Sequence, residues 1–497
     1  MKLRVGAALL SVLIILMVGT LTPWANPATV TNAASQYGYY DDNLPYFYTG
    51  GSGSKSIVHT PSGEKPQSKL WFNDGIWWGS LFNSSAGNYH IYRLNVSTQR
   101  WVDTGTVLDT RAQTKADCLW DGTHLYVASG GGFDINNNGT TAMLPGWLYR
   151  FSYNATTKQY TKDFGPVVIR NGGAETLVMD KDGKGTLWIT YTQNGKVYVN
   201  HSRASDSVWD PNAAMVVPTS NSKWTSVSPD DISTLVAFDG KIGILWSNET
   251  AGQFSGSSDT AFYFAYHIDG QTDTTWTSGP IFRQPSVADD HLNIKSIQSD
   301  SSGNVYAMVK TSFNSVGTPQ LILLKATKGI NGNYTWDTYT ESIREEGQTR
   351  PLLMIDTSHR MLYVFTSTEG GGSIYYKSTS MDNIAFPLGA NTSRTFISKP
   401  GYAINNVSST KQTVNTASGI LVIATHDNES SIDSAAADYY FHNYINLLST
   451  GPTVTPNPLT PSPTNSPTAS PTVKPTNTPT TTPVNSQRRL YVPVSRN

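Results

Sequence analysis

The feature that most constrains the fold is a β-hairpin pattern that recurs along the chain. In residues 288–310, alternating apolar and polar residues lie on both sides of a Ser/Gly turn, as expected for two antiparallel strands joined tightly. The same plan occurs in six further segments: 68–82, 115–129, 173–191, 230–246, 349–367 and, more weakly, 405–425. Seven copies in tandem predict a repeat architecture.

The spacing of the copies identifies the type of repeat. Equivalent positions recur at intervals of roughly 47 to 60 residues, which is too long for a helical solenoid and suits a four-stranded propeller blade. The positions compared are Lys69, Ala116, Ala174, Asp231, His291, Arg350 and Asn406. A third strand, a polar turn and an aromatic residue follow the hairpins, as at Tyr160 and Trp276. We therefore predict an all-β fold, a seven-bladed β-propeller of four-stranded antiparallel blades, over residues 36–450.

Closure of the ring requires a strand from elsewhere in the chain. The last copy shows only three strands before the composition changes near residue 448. An open propeller would leave unpaired sheet edges, which invite aggregation. We expect an N-terminal strand within residues 55–60 to complete the last blade.

The two ends of the chain differ in composition from its body. Residues 1–34 combine two early positive charges, an apolar run and small residues, which predicts a cleaved secretory signal peptide and a secreted or cell-surface protein. The alternative is an uncleaved signal anchor, the one expected link to a membrane. Residues 451–486 form a Pro/Thr/Ser-rich linker, predicted to be extended and disordered. The tail, 487–497, is either a sorting patch or a frayed end.

Composition narrows the classes of partner. A formal net charge of −1 and a pI near 6.8 give no electrostatic basis for binding nucleic acid. The single cysteine, Cys118, excludes an intramolecular disulfide, and its apolar neighbours predict a buried, inert thiol. We expect a monomer.

Candidate site residues come from the geometry of a propeller. The first strand of each blade lines the central channel, so its leading residues surround one mouth. Polar groups that converge there could bind a saccharide-like ligand or perform acid/base chemistry. The predicted ligand-binding residues are Lys69, Asp117, Glu175, Asp230, Asp231, Asn293 and Asn406, and the predicted catalytic residues are His291, Lys295 and Arg350. The alternative is that these groups neutralise one another around a water-filled channel.

One stretch resembles a known family. The DDHLN segment that contains His291 resembles the DDHN-type element of BNR-repeat proteins, which are sialidase-like propellers, and of related propeller polysaccharide lyases. The resemblance implies that His291 abstracts the proton alpha to a uronate carboxylate. Leu292 separates His291 from Asn293, which departs from the family pattern. On chemical grounds alone, Arg350 and Lys295 would neutralise the acid group.

The sequence leaves several functions open. We expect an exported propeller that binds a polysaccharide, a glycan or another polar surface ligand at the channel mouth. The alternatives are a polysaccharide lyase, a glycoside hydrolase that uses carboxylates among Asp117, Glu175 and Asp231, and a structural envelope module.

No cofactor is expected, with calcium as the alternative. Asp134, Asn136 and Asn138 match the start of a calcium loop, but Pro145 stands where that loop needs a bidentate Glu. An Asn-rich turn is the other interpretation of this segment.

Overall fold

The computed structural model describes most of the predicted propeller region. The described residues are 37–45, 47–49, 55–57, 61–63, 65–131, 144–296, 302–426 and 439–447. The predicted signal peptide, linker, tail and calcium loop (Asp134, Asn136 and Asn138) lie outside them. Among the described residues, none of the helices has the length and apolar character needed to span a bilayer.

Seven four-stranded antiparallel sheets follow one another along the chain, which confirms the predicted seven-bladed β-propeller. The strands before the first blade are β1 (Tyr39–Pro45), β2 (Phe47–Thr49) and β3 (Lys55–Ile57). Blade 1 contains β4 (Leu70–Asn73), β5 (Ile76–Asn83), β6 (Asn88–Asn95) and β7 (Arg100–Asp109). Blade 2 contains β8 (Lys115–Trp120), β9 (His124–Gly130), β10 (Gly146–Asn154) and β11 (Gln159–Arg170).

The next three blades repeat this order. Blade 3 contains β12 (Val178–Lys181), β13 (Leu187–Gln193), β14 (Lys196–His201) and β15 (Met215–Val216). Blade 4 contains β16 (Ser233–Phe238), β17 (Lys241–Asn248), β18 (Asp259–Ile268) and β19 (Thr277–Pro285). Blade 5 contains β20 (Leu292–Ser296), β21 (Val305–Lys310), β22 (Pro319–Lys328) and β23 (Tyr334–Ile343).

The last two blades complete the ring. Blade 6 contains β24 (Gln348–Asp356), β25 (Met361–Thr368), β26 (Ile374–Ser380) and β27 (Arg394–Ile397). Blade 7 contains β28 (Ile404–Ser408), β29 (Ile420–His426), β30 (Tyr439–Ile445) and β1. Among the described residues, the helices are the 3₁₀ turns Pro211–Ala213, Ser222–Thr225 and Arg344–Glu346.

The core lies between neighbouring blades. Every residue of the innermost strand β16 is buried, because this strand has neighbours on both faces. The aromatic residues at the predicted fixed offset pack into these interfaces, as Tyr160 and Trp336 are 3% and 2% exposed. The Trp71 indole of blade 1 donates a 2.9 Å hydrogen bond to the Tyr160 hydroxyl of blade 2. These aromatics therefore join one blade to the next.

An N-terminal strand does complete blade 7, but the predicted segment was wrong. The outer edge of β30 is paired by β1, whereas β3 pairs with β2 in a separate hairpin. The seven-residue β1 covers more of that edge than the three-residue β3 could. It is also bound to blade 1, since Asp41 accepts hydrogen bonds from Arg100 at 2.7 Å and from the Trp101 backbone at 3.0 Å.

A second contact closes the ring near the channel. The Gln412 side chain pairs with the backbone of Phe72, accepting from its N–H at 2.8 Å and donating to its carbonyl at 3.0 Å. The Leu70 N–H donates to the Ser409 carbonyl at 3.0 Å. Blade 7 is therefore joined to blade 1 at both its inner and its outer strand.

Candidate functional site

The candidate site lies at the mouth where the innermost strands begin. Because neighbouring strands are antiparallel, the loops that follow the second strands reach the same mouth. Blades 3, 4 and 5 and the segment before blade 1 together supply a group of ionisable side chains, which we call the mouth cluster. It consists of Lys65, Glu175, Asp230, Asp231, Glu249, Asp289, Asp290 and His291.

His291 is held by two carboxylates. Its Nδ1 lies 2.6 Å from Asp289 Oδ1 and 2.6 Å from Asp290 Oδ1. The residue is only 8% exposed, and its Nε2 has no hydrogen-bond partner among the described residues. Burial alone would raise the pKa of Asp290, but the charges of His291 and Lys65 hold it well below its usual range. One ring nitrogen is thus held by two carboxylates, and the other is buried without a partner among the described residues.

Lys65 comes from a segment that crosses the mouth. We call this segment the mouth strap, and the structure describes its residues 61–63 and 65–67. The Lys65 Nζ lies 2.9 Å from Glu175 Oε1 of blade 3 and also contacts Asp290 of blade 5. At the start of the strap, Ser62 donates to the carbonyl of Asn406 in blade 7 at 2.6 Å. At its end, Gln67 donates to the Leu177 carbonyl at 3.2 Å. The strap therefore links blades that are not neighbours.

Blade 4 contributes three carboxylates in two different roles. Asp231 is fully buried and accepts hydrogen bonds from the Ser228 N–H at 2.7 Å and the Glu249 N–H at 3.2 Å. It therefore fixes the loop that carries Glu249. Burial and the charge of Asp231 raise the pKa of Glu249 to about 8. Partial burial and the charge of Asp290 raise the pKa of Asp230, although much of this residue is exposed at the mouth.

Two predicted ligand-binding residues instead connect neighbouring blades deeper in the channel. Asp117 accepts from the Ser68 N–H of the strand entry to blade 1 at 2.8 Å and from the Met179 N–H of blade 3 at 2.7 Å. Asn293 accepts from the Leu353 N–H of blade 6 at 3.2 Å. These contacts hold the innermost strands together.

Two predicted lysines are also placed in the deep channel. Lys69 donates to the Ala116 carbonyl at 2.6 Å and is 1% exposed. Lys295 donates to the Thr410 carbonyl at 2.7 Å, and burial together with the charge of Lys411 lowers its pKa to about 7. Along β20, Lys295 lies roughly 13 Å from His291, at about 3.3 Å per residue. The structure therefore does not bring Lys295 into the mouth cluster.

Arg350 and Asn406 occupy matching positions in blades 6 and 7. Both have left-handed backbone conformations, with φ of 50° and 55°, where the pairing of the first and second strands shifts register. Such bulges change the direction in which a side chain points. Arg350 is half-buried, and its Nε has no hydrogen-bond partner in the described part of the chain.

Sequence reasoning missed several groups that the structure brings to the mouth. Lys65 lies outside the repeats, and Glu249 follows a second strand. Lys310 and Glu369 also lie at or just after the ends of second strands, and Lys310 Nζ is 3.1 Å from Asp289 Oδ2 and 3.5 Å from Glu369 Oε1. If the ends of second strands had been considered as well as the starts of first strands, the sequence would have identified Glu249, Lys310 and Glu369.

The mouth also contains a set of side chains with the composition of a metal site. Asp289, Asp290 and His291 each place one ligating atom so that all lie within 4.8 Å of one another. However, the second oxygens of the two carboxylates are bound by Lys310 and Lys65. Because these ammonium groups already balance the charge, we assign no metal here.

Comparison with known proteins gives no family. No family model and no curated protein matches the chain, so the resemblance to BNR-repeat proteins remains a prediction. One similar solved structure is polysaccharide lyase Uly1, with 11% sequence identity over 83% of this chain and 100% of that one, and a TM-score of 0.45. A protein of unknown function from Dyadobacter fermentans DSM 18053 has 10% identity over 65% of this chain and 92% of that one, and a TM-score of 0.41. SapL1 lectin in complex with alpha methyl fucoside has 10% identity over 68% of this chain and 98% of that one, and a TM-score of 0.37. A sialidase and family-43 glycoside hydrolases are also among the similar structures.

Proposed function

We propose that this protein is a secreted or cell-surface propeller that binds a saccharide without net negative charge at the channel mouth. The observation that carries the proposal is the mouth cluster itself, in which carboxylates from three consecutive blades lie at the same mouth as His291 and outnumber the cationic groups. This group lies where the innermost strands begin, and Asp230 is its exposed member, which an external ligand would meet first.

The chemistry of the cluster suits a saccharide. Ionised carboxylates accept strong hydrogen bonds and can receive two at once, as neighbouring hydroxyl groups on a sugar ring would donate. The exposed Asp230 offers such an acceptor, and the free nitrogen of His291 offers another polar contact. A small number of oriented polar groups is what fixes a ligand in a binding site.

The charge of the cluster argues against a uronate substrate. A lyase must neutralise the carboxylate of its substrate, and the candidates for this role are Lys295 and Arg350. Lys295 is buried and its Nζ donates to the Thr410 carbonyl. Arg350 is then the remaining candidate, because Lys65 and Lys310 at the mouth are bound by carboxylates. The surrounding carboxylates would repel an anionic sugar.

A second candidate function is hydrolysis of a glycosidic bond. Glycosidases use one protonated and one ionised carboxyl group, and different environments can hold two neighbouring groups in these states. The raised pKa of Glu249, about 8, leaves it protonated at neutral pH beside other carboxylates. Assaying neutral polysaccharides for new reducing ends tests this candidate, and Glu249→Gln should abolish any activity found.

The proposal is tested on an array of neutral, amino and uronate-containing glycans. We expect binding to glycans without net negative charge, weakened at least about tenfold by Asp230→Asn or His291→Ala, because each variant removes a direct contact. The matched control is Asp382→Asn, which should bind normally. Asp382 follows a third strand, and loops after third strands lie on the face opposite the mouth cluster. Binding confined to uronate glycans, or unchanged binding by both mouth variants, would refute the proposal.

A further inference from the structure

The carboxyl groups of blade 4 differ from those of the blades beside it. Asp230 and the Glu249 side chain have no ion pair or hydrogen bond among the described residues, although both lie at the mouth. Glu175 of blade 3 and Asp290 of blade 5 are instead bound by the Lys65 ammonium group. Asp230 and Glu249 thus lie between two blades whose mouth carboxylates share one bound cation.

Lys65 shows which chemical group this mouth accommodates. Its side chain is 8% exposed, and the Glu175 and Asp290 side chains are 6% and 9% exposed, so the three charges meet largely out of water. An ammonium group held between carboxylates of two blades is a strong, charge-assisted contact. The protein therefore already places a primary amine in the mouth, between the blades on either side of blade 4.

His291 provides a separate indication of a ligand. Its Nε2 is buried and lacks a partner among the described residues, which is costly unless another molecule supplies one. Asp230 and His291 lie just before the innermost strands of the neighbouring blades 4 and 5, so both lie at the same mouth. A sugar hydroxyl could bind His291 while another substituent of the same ring meets Asp230.

We propose that the mouth recognises an amino saccharide, whose ammonium group lies between Asp230 and Glu249 while a hydroxyl group binds His291. This inference rests on the proposed function and names the class of ligand. The bound ammonium group would offset the repulsion between neighbouring carboxyl groups that raises the pKa of Glu249. It would also favour the ionised form of Glu249.

The test compares two oligosaccharides with the same sugar backbone, one with free amino groups and one in which acetylation has removed their charge. Calorimetry measures the affinity for a glucosamine tetramer and for the fully N-acetylated tetramer, at low and at physiological salt. We expect the glucosamine tetramer to bind about tenfold more tightly, with a preference that shrinks as salt screens the charges. Asp230→Asn and Glu249→Gln should each reduce this preference, and Asp382→Asn should preserve it.

The outcomes separate this inference from the proposed function. Equal affinity for the two tetramers, or an unchanged preference in both mouth variants, overturns the amino-saccharide assignment while the binding of neutral glycans stands. Binding of an oligolysine peptide without binding of either tetramer overturns it in favour of a protein partner. If neither tetramer nor any glycan without net negative charge binds, both proposals fail. Thermal melting of each variant confirms that it is folded.

Discussion

The mouth and the deep channel are lined by similar polar residues that make different kinds of contact. In the deep channel, Asp117 and Asn293 accept hydrogen bonds from backbone N–H groups of other blades. At the mouth, the His291 side chain contacts Asp289 and Asp290, and Asp230 has no hydrogen-bond or ion-pair partner among the described residues. Residues of the first kind maintain the fold, whereas we propose that residues of the second kind bind the ligand.

The largest expected effect is the difference in stability between variants of Asp117 and Asp230. Asp117→Ala should lower the free energy of unfolding by about 3 to 5 kcal/mol, because it leaves two buried N–H groups and the Lys411 ammonium group without their partner. Asp230→Ala should change it by less than about 0.5 kcal/mol, because that side chain is exposed. Urea unfolding of both variants measures the difference. Equal effects would remove the distinction between the two regions.

Buried Lys295 gives the deep channel a characteristic dependence on pH. Its pKa is lowered from 10.5 to about 7, so between these values the unfolded chain binds more protons than the folded one. Stability should therefore rise with pH across this window, by at most about 1.4 kcal/mol per pH unit. Lys295→Met should flatten this rise and stabilise the protein at pH 7. An unchanged slope in the variant would show that Lys295 is not the group responsible.

Glu249 gives the mouth the opposite dependence, with a smaller size. Its pKa is raised from 4.5 to about 8, so the folded protein binds the extra proton between these values. Stability should fall as pH rises through this window, and Glu249→Gln should reduce that fall. Because the side chain is half-buried, solvent reduces the effect below that of Lys295. Melting curves from pH 4.5 to 8 test it, and a steeper fall in the variant would contradict the assignment.

The sequence predicted the fold well because the repeat period and the fixed aromatic residues are properties of the pattern itself. The depth at which a residue lies in the channel is not a property of the pattern. His291 lies just before β20, and Asn293 and Lys295 lie within it at every second position, so all three share one face of the strand. The pattern therefore does not show which of them are close enough to the mouth to meet a ligand. Their roles depend on what the neighbouring blades present at each level.

The missed residues have a related cause. Lys65 and strand β1 both come from the segment before the repeats, where no second copy exists for comparison. Lys65 reaches blades 3 and 5, and β1 pairs with the last blade, so both contacts are distant in sequence. Such contacts depend on three-dimensional closure of the ring. Local periodicity therefore predicts the blades but not what crosses or joins them.

The most direct test of the account is to measure the stability and the ligand binding of His291→Ala in one preparation. Asp290 keeps its contact with Lys65 and Asp289 keeps its contact with Lys310, so the free energy of unfolding should stay within about 1 kcal/mol of the wild-type value. Binding of the saccharide identified on the array should be lost. A loss of several kcal/mol with binding retained would contradict the account and place His291 among the residues that maintain the fold.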